Sequence, residues 1–384
     1  MTFEPPKGYT NVGISLIRQM NQKAKSSSIN LGLGQLPYRP CKDAVYSMEK
    51  ALTDGKITYS PNAGALDVRE AISDRHLVRT DKRVSANDII ITVGVQQALY
   101  NTISVFANGD ARILIPEIGF PVYESIPQLV GGIDVSSYKL HLDLTPHIVD
   151  IEDKLADDTR QTLIVVNSPS NPLGSVMSED DTRKLGSLLD KYPHAYVLSD
   201  EVYSELYFGP DRPFSVASVS DKVIVADGIS KMGAATGIRV GWTIAPENIT
   251  KEMLKLQQNN IGCPPTPNQY FAVPIIDGSA EILIEQYRDN LRKNHALVQS
   301  ALDSTNLLSA IPSQGSFYSF VDVSQIGDSI SVANTLLDEE DVLVIPGKAF
   351  GDSGDSHIRV SFATSEDKLE KGLERLVRFA QRRA

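Results

Sequence analysis

The chain has 384 residues, of which 41% are hydrophobic, 7% aromatic and 22% charged, values typical of a globular protein. This composition excludes a disordered tail, a collagen and a small domain held together by disulfides. The 48 acidic residues outnumber the 37 basic ones, giving a net charge of −11. That balance excludes nucleic acid as the expected partner, because binding to a phosphate backbone needs clustered Lys and Arg.

The cysteines and the first residues bear on the cellular compartment. Cys41 and Cys263 form no C-x-x-C motif, which favours a reducing compartment over a disulfide framework. The opening MTFEPPKGYT lacks the apolar core of a secretory signal. No apolar run approaches the ~18 residues of a membrane span, and the histidines show no metal-ligand spacing. The sequence predicts a cytoplasmic protein with no membrane partner and no metal site.

Short β-branched runs alternate with helical stretches through the middle of the chain. Because these runs are continuously apolar, they predict strands buried on both faces of a mostly parallel sheet. The expected strands are Ile89–Thr92, Arg112–Ile115, Thr162–Val166, Ala195–Ser199, Lys222–Val225 and Arg239–Ile244. Functional residues in such sheets gather in the loops beyond the strand ends.

The last hundred residues predict a second, smaller α+β unit. Helical periodicity covers Ala280–Leu302 and Ser365–Arg383. Three strands are expected between these helices, at Phe317–Val323, Val342–Ile345 and His357–Phe362.

Four polar segments follow the predicted strands. The segment Asn167–Gly174 holds two X-Pro units and a glycine, which fix a rigid turn. Asp200 is a carboxylate at a buried strand end, which needs a cationic partner. Lys231 lies among small and apolar residues, where burial lowers the pKa of an amine and makes it a nucleophile able to form a Schiff base. Arg239 follows eight residues later and can clamp a phosphate near the lysine. Each segment alone is compatible with a structural role.

Together these features describe what pyridoxal 5'-phosphate needs, namely an amine for its aldehyde, an acid for its pyridinium nitrogen and cations with amides for its phosphate. The chain resembles the fold-type I pyridoxal-phosphate enzymes, in particular the class I/II aminotransferases, from about Gly13 to the last helix. The resemblance implies an α/β fold with a large domain, residues 46–279, around a mostly parallel seven-stranded sheet flanked by helices. A smaller α+β domain would form from both chain ends, residues 1–45 and 280–384.

The resemblance implies three catalytic residues. Lys231 would hold the aldehyde of the cofactor and later shuttle the proton, and Asp200 would keep the pyridine nitrogen protonated. Tyr203 and Asn171 would hydrogen-bond the phenolic oxygen. Phe120 matches the aromatic residue that stacks on the pyridine ring, with core packing as the alternative.

The phosphate site is implied by two further segments. Thr-Val-Gly94-Val95-Gln96 is similar to the phosphate turn of the family, in which the amides of Val95 and Gln96 begin a helix. Arg239 would pair with the phosphate, and Ser230 would lie nearby.

The substrate site and a dimer are implied in the same way. Arg359, in His-Ile-Arg359-Val-Ser, matches the arginine that grips the α-carboxylate, while Gly34 and Asn171 would lie beside the substrate. Tyr59 is similar to the tyrosine that reaches a partner subunit's phosphate, which implies a homodimer with shared active sites. From position alone, candidates for contacts with the substrate side chain are Gly13, Gln35, Tyr38 and Asn62.

Some residues depart from the family pattern at the edge of the pocket. Gly228 stands where relatives often have serine, Gln35 stands where many have an acid, and Met232-Gly233 is small where many have an aromatic residue. The predicted function is an aminotransferase that moves an amino group between an L-amino acid and a 2-oxo acid.

Two alternatives remain at this point. The departures leave open an eliminating or cyclising enzyme of specialised metabolism that acts on a polar, for example arginine-derived, amino acid. A regulatory domain that only binds the cofactor is disfavoured, since Lys231 and Arg359 are both present and a sensor needs no proton shuttle.

Overall fold

Helices and strands alternate along the chain in the computed structural model, which describes residues 3–107, 110–131 and 133–383. The helices are α1 (Lys7–Asn11), α2 (Leu16–Lys23), α3 (Lys42–Thr53), α4 (Leu66–Thr80), α5 (Val95–Phe106), α6 (Val122–Val130), α7 (Ile148–Ala156), α8 (Glu179–Lys191), α9 (Ile229–Met232), α10 (Glu247–Asn260), α11 (Thr266–Ile276), α12 (Glu281–Asp303), α13 (Ser329–Glu340) and α14 (Glu366–Gln381). The strands are β1 (Ile29–Asn30), β2 (Ile89–Val93), β3 (Arg112–Pro116), β4 (Asp134–Tyr138), β5 (Thr162–Asn167), β6 (Ala195–Asp200), β7 (Val223–Gly228), β8 (Val240–Ile244), β9 (Ser309–Ala310), β10 (Tyr318–Asp322), β11 (Val342–Leu343), β12 (Ile345–Pro346) and β13 (His357–Ser361). Within these ranges no helix is both long enough and apolar enough to cross a bilayer.

The larger sheet has seven strands in the order β2-β8-β7-β6-β5-β3-β4. Strand β8 runs antiparallel to both of its neighbours, and the other pairs are parallel. Leu163 and Val165 pack into a core on one face of the sheet, while Ile164 and Val166 pack into a second core on the other. This burial on both faces explains the continuous apolar runs in the sequence. The predicted α/β class with a mostly parallel sheet is confirmed.

One strand of this sheet was not predicted from the sequence. Strand β4 reads Asp-Val-Ser-Ser-Tyr and lies at the edge beside β3. Only Tyr138 in it is fully buried, so no apolar run marks it. An edge strand has one neighbour and needs less burial than a central one, which is why its composition gives no signal.

Strands near the two chain ends form smaller sheets. Four strands pair in the order β12-β13-β10-β9, and β1 pairs with β11 in parallel. The predicted strand Val342–Ile345 is therefore two short strands, because β11 pairs with β1 and β12 pairs with β13. The N–H of Ser361 also donates to the carbonyl of Leu31 at 2.7 Å. Both chain ends thus meet, while the domain limits at residues 45 and 279 stay a prediction.

The carboxyl ends of β5, β6 and β7 lie side by side. Asn167 is in register with Asp200, and Asp200 with Ala226. Helix α9, which carries Lys231, begins directly after β7. Because parallel strands end at the same edge of a sheet, polar residues that are far apart in sequence converge there.

Gly241 in β8 lies against the start of α5, and this contact generates a stability prediction. A methyl group at Gly241 would lie 2.6 Å from the amide nitrogen of Val95 and 2.7 Å from the carbonyl carbon of Gly94. We expect Gly241→Ala to lower the free energy of unfolding by about 1–3 kcal/mol, the usual cost of overpacking, as measured by urea denaturation. Gly237→Ala is the control, because a methyl group there meets no atom within 4 Å. Equal stability of the two variants would contradict the prediction.

Candidate active site

A cavity of about 300 Å³ lies beyond the carboxyl ends of β5, β6 and β7. Most of the residues that the sequence proposed for cofactor and substrate line it. They are Gly34, Val95, Gln96, Phe120, Asn171, Asp200, Tyr203, Ser230, Lys231, Arg239 and Arg359. Gly94 adjoins these residues as the N-cap of α5.

Lys231 projects into this cavity from α9. Its Nζ donates a hydrogen bond to the carbonyl of Gly34 at 2.6 Å. Burial lowers the pKa of Lys231 to about 8, with Arg359 acting in the same direction and Asp200 opposing it. An amine with this pKa is partly neutral near physiological pH, which makes it a competent nucleophile and base.

Asp200 ends β6 with its side chain buried in the cavity wall. Its Oδ2 accepts a 2.7 Å hydrogen bond from the hydroxyl of Tyr123, and its Oδ1 accepts one from the N–H of Val202 at 3.3 Å. Burial raises the pKa of Asp200 to about 6, while the bond from Tyr123 acts to lower it. A cationic hydrogen-bond partner, such as a protonated ring nitrogen, would therefore stabilise the ionised form of Asp200.

Two tyrosine hydroxyls meet on the opposite wall. The hydroxyls of Tyr203 and Tyr318 lie 3.2 Å apart, and Tyr203 is fully buried with its pKa raised well above the usual value by desolvation. The Nζ of Lys231 lies 5.7 Å from the centre of the Tyr203 ring. Both hydroxyls thus stay protonated and can donate a hydrogen bond to an oxygen near Lys231.

Arg359 projects from β13 and is held on several sides. Its Nη1 donates to Oδ1 of Asn171 at 2.8 Å, and its Nη2 donates to the carbonyl of Gly32 at 2.6 Å. The guanidinium also stacks 4.2 Å from the centre of the Tyr318 ring, whereas its Nε is buried without a hydrogen-bond partner. A fixed guanidinium of this kind is suited to a carboxylate ligand.

The start of α5 faces Arg239 across a narrow gap. Gly94 has φ of +73°, and a side chain there would lie 2.7 Å from Cζ of Arg239. The amides of Val95 and Gln96 open a twelve-residue helix whose N-cap makes no side-chain hydrogen bond. Free amides at a helix N-terminus beside a guanidinium form an anion site.

The structure gives a physical reason for Gly228. A Cβ at this position would lie 2.8 Å from the carbonyl oxygen of Val240 and 2.9 Å from Cγ2 of Val95. The serine that relatives often carry does not fit without a shift of the backbone. Thr236 lines the cavity beside Arg239 and brings a hydroxyl to the same wall.

These observations test whether the residues fit pyridoxal phosphate. The anion site at α5, the buried Asp200 and the amine of Lys231 match a phosphate, a pyridine nitrogen and an aldehyde respectively. Phe120 lines the same cavity, where an aromatic ring can stack on a flat ligand. The residues fit the cofactor.

Several residues proposed from the sequence are not among those that line the cavity. Gly13 lines a larger, adjoining cavity that shares Gln96, Phe120 and Arg239 with this one. The others outside the lining are Tyr59, Gln35, Tyr38 and Asn62. Tyr59 is 95% exposed, so within a single subunit it has no part in the site.

Three residues that contact the site were not predicted from the sequence to do so. Tyr123 bonds Asp200, Tyr318 bonds Tyr203, and Asn167 donates from Nδ2 to the carbonyl of Asp200 at 2.9 Å. Asn167 lies inside the segment Asn167–Gly174 and Tyr318 inside the predicted strand Phe317–Val323, but neither was assigned to the site. The two tyrosines come from distant segments with no local polar cluster, so tertiary structure alone brings them here.

A chain of side-chain amides runs from α5 to the segment that carries Tyr59. Nε2 of Gln97 donates to Asn260, Asn260 donates to Asn101, and Asn101 donates to Oε1 of Gln257, at 3.3, 3.2 and 3.2 Å. Gln257, fully buried, donates to the carbonyls of Asn62 and Ile91 at 2.7 and 2.8 Å. The start of α5 is thereby connected to a loop near the surface.

The bond between Tyr123 and Asp200 generates a prediction on ionisation. We expect Tyr123→Phe to raise the pKa of Asp200 above its value of about 6, because the variant loses a hydrogen bond that favours the carboxylate. Asp200 would then ionise only at higher pH, which an infrared titration of the carboxyl band in the apoprotein measures. Tyr138→Phe is the control, since buried Tyr138 donates to the carbonyl of Val165 instead. An unchanged or lower pKa in Tyr123→Phe would contradict this account.

Comparison with known proteins agrees with the geometry. The family described as aminotransferase class I and II matches residues 26–376. A probable aspartate aminotransferase of Methanocaldococcus jannaschii is 32% identical over 372 residues, which cover 94% of this chain and 96% of the relative. A probable N-acetyl-LL-diaminopimelate aminotransferase of Bacillus subtilis is 33% identical and covers 91% of this chain and 88% of the relative.

Solved structures agree as well. The aspartate aminotransferase of Thermus thermophilus with maleate has a TM-score of 0.91 at 26% identity, covering 98% of this chain and 100% of that chain. The comparisons give no support to an eliminating or cyclising enzyme. The chain therefore belongs to the class I and II aminotransferases, enzymes that use pyridoxal phosphate to move an amino group between an amino acid and a 2-oxo acid.

Proposed function

We propose that Lys231, Asp200 and Arg359 carry out the amino transfer in the cavity at the sheet edge. The observation that carries this proposal is the presence of a buried amine, a buried carboxylate and a buried guanidinium around one cavity of about 300 Å³. Burying three ionisable groups costs free energy, and such groups cluster where chemistry needs them.

The cofactor would be held at three points. Val95 and Gln96 would donate backbone amides to its phosphate, with Arg239 alongside, as supported by the helix start and the guanidinium that faces it. Ser230 and Thr236 would add hydroxyls from the same wall. When bound, pyridoxal phosphate supplies an aldehyde and an electron-accepting ring, which make the α-proton of an amino acid removable.

Asp200 would hold a proton on the ring nitrogen. Its carboxylate is buried and already accepts hydrogen bonds from the Tyr123 hydroxyl and the Val202 N–H. A charged hydrogen bond to a protonated nitrogen would lower the pKa of Asp200 and keep it ionised. Tyr203 and Asn171 would donate to the phenolic oxygen, and Phe120 would stack on the ring.

Lys231 would move the proton between the α-carbon of the substrate and the cofactor. Its lowered pKa of about 8 leaves a usable fraction of neutral amine, which is what a general base near neutral pH requires. Its bond to the Gly34 carbonyl holds the amine beside the position proposed for the substrate.

Arg359 would bind the α-carboxylate of both the amino acid and the 2-oxo acid. Its position is fixed by the Gly32 carbonyl, by Asn171 and by the Tyr318 ring. Because these contacts hold the guanidinium before the substrate arrives, less entropy is lost on binding. Gly34 would lie beside the bound substrate, where a Cβ would clash with the hydroxyl oxygen of Tyr318.

A homodimer with shared active sites is the second part of the proposal. Large side chains in α3 and in the segment that follows it are exposed in the single subunit, among them Tyr59, which is 95% exposed. Ile57 is 69% exposed and Tyr46 is 66% exposed. Exposed apolar residues of this kind mark an interface, and from it Tyr59 would reach the phosphate of the partner subunit.

A cytoplasmic location is the third part of the proposal. Cys41 and Cys263 are free thiols within the described chain. Unpaired cysteines fit a reducing compartment, in which disulfides are rare.

The test of amino transfer combines a variant with the choice of acceptor. We expect amino acids to be consumed only when a 2-oxo acid acceptor is supplied, as followed by mass spectrometry of both products over a panel of amino acids. Lys231→Ala should bind the cofactor and lose multiple turnover, because the proton shuttle is gone. Lys251→Ala, on the exposed side of α10, serves as the control. Turnover without an acceptor, or normal turnover by Lys231→Ala, would refute the assignment.

Hybrid dimers test the shared site. Lys231→Ala subunits have no shuttle, and Tyr59→Ala subunits have no hydroxyl for the partner's phosphate. Mixing the two at limiting cofactor should raise activity well above that of either variant alone, because each hybrid contains one site with both residues. The steady-state rate after subunit exchange measures this gain. Activity that merely averages the two parents would argue against sharing of Tyr59.

A further inference from the structure

A pair of buried carboxylates lies behind the cavity, on the far side of the sheet edge. Asp200 in β6 is in register with Ala226 in β7, so the next residues along, Glu201 and Asp227, lie opposite each other. Since side chains alternate along a strand, both point away from the face that presents Asp200. Their side chains are only 5% and 2% exposed.

Arg79 joins these two carboxylates. It lies in the last turn of α4 with its side chain 7% exposed, and its Nη2 is 2.7 Å from Oε2 of Glu201. Its Nη1 is 3.2 Å from Oδ2 of Asp227. Two like charges on neighbouring strands repel each other strongly when buried. The guanidinium between them offsets this repulsion by forming a salt bridge to each carboxylate.

The remaining oxygens of the pair are also bonded. Oε1 of Glu201 accepts from the hydroxyls of Ser199 and Ser215, at 3.0 and 2.5 Å. Oδ1 of Asp227 accepts from the N–H of Gly228 at 2.7 Å, and Gly228 is the N-cap of the helix that carries Lys231. Each carboxylate therefore has a fixed position relative to the backbone that follows it.

The bridge connects the two strand ends that bear the proposed chemistry. Asp200 precedes Glu201 directly, and Lys231 follows Asp227 by one turn of helix. We propose that Arg79 is a positioning residue. Beyond the backbone hydrogen bonds that pair β6 with β7, it connects the ends of the two strands through side chains and so fixes the placement of Asp200 relative to Lys231. The inference rests on the proposed function of those two residues.

Only a forked cation can make this bridge. Arginine presents two Nη groups in one plane and can reach both carboxylates, whereas lysine carries a single point of charge. Arg79→Lys therefore keeps the net charge of the cluster and removes the connection between the strands. A displacement of about 1 Å in a reacting group can cost up to about a hundredfold in rate.

The experiment compares Arg79→Lys with Arg112→Lys. Arg112 begins β3, at the opposite end of the sheet from the carboxyl ends that border the cavity. Its side chain is 8% exposed and pairs with Asp158 at 3.5 Å, so its replacement is an equally buried control. We expect Arg79→Lys to lower kcat at least about tenfold with KM changed less than about twofold. The visible circular dichroism of the bound cofactor should change with it, because that signal depends on how the ring is held. Arg112→Lys should retain the parental kcat and spectrum.

A second variant covers the case in which Arg79→Lys does not fold. Arg79→Met/Glu201→Gln/Asp227→Asn removes all three charges at similar volume and leaves no unpaired buried ion. It should fold and show the same loss of kcat and altered spectrum. Parental kcat and spectrum in the folded Arg79 variant, or the same loss in Arg112→Lys, would overturn the inference. If the parent itself needs no 2-oxo acid acceptor, the proposed function fails instead.

Discussion

The structure depends on the burial of ionisable groups at the carboxyl edge of a parallel sheet. Desolvation raises the pKa of Asp200 to about 6 and lowers that of Lys231 to about 8. Both shifts bring a group toward neutrality, so each gains free energy from a charged or hydrogen-bonding ligand. The seven-stranded sheet provides this environment because its strands are covered on both faces and end together.

A second group of buried charged residues lies behind Asp200 and Lys231. The side chains of Arg79, Glu201 and Asp227 are also buried, yet they bond to one another, and the cavity beside Arg79 and Glu201 measures about 10 Å³, too small for a substrate. Burial therefore does not identify a functional group without its geometry. What distinguishes Asp200 and Lys231 is that they face an open cavity and retain hydrogen-bonding capacity toward it.

Much of the fold could be predicted from the sequence, since two-sided burial leaves continuous apolar runs and polar residues follow them. Asp200 and Lys231 could be found this way because each lies directly beyond such a run. Strand β4 could not be predicted from the sequence, because an edge strand needs no apolar run. Tyr123 could not be assigned to Asp200 either, since the contact joins residues 77 positions apart. Gly228 was visible as a departure, but its cause, the closeness of β8, is a property of packing.

The amide chain through Gln257 has a consequence for how this sequence can diverge. Gln257 both accepts from Asn101 and donates to the carbonyls of Asn62 and Ile91. A glutamate in its place lacks the donors, and an alanine leaves two buried carbonyls and an amide unpaired. Substitution of Gln257 is therefore constrained both by Asn101 and by the two carbonyls. We expect substitutions near the start of α5 and in the loop around Asn62 to be correlated among related sequences.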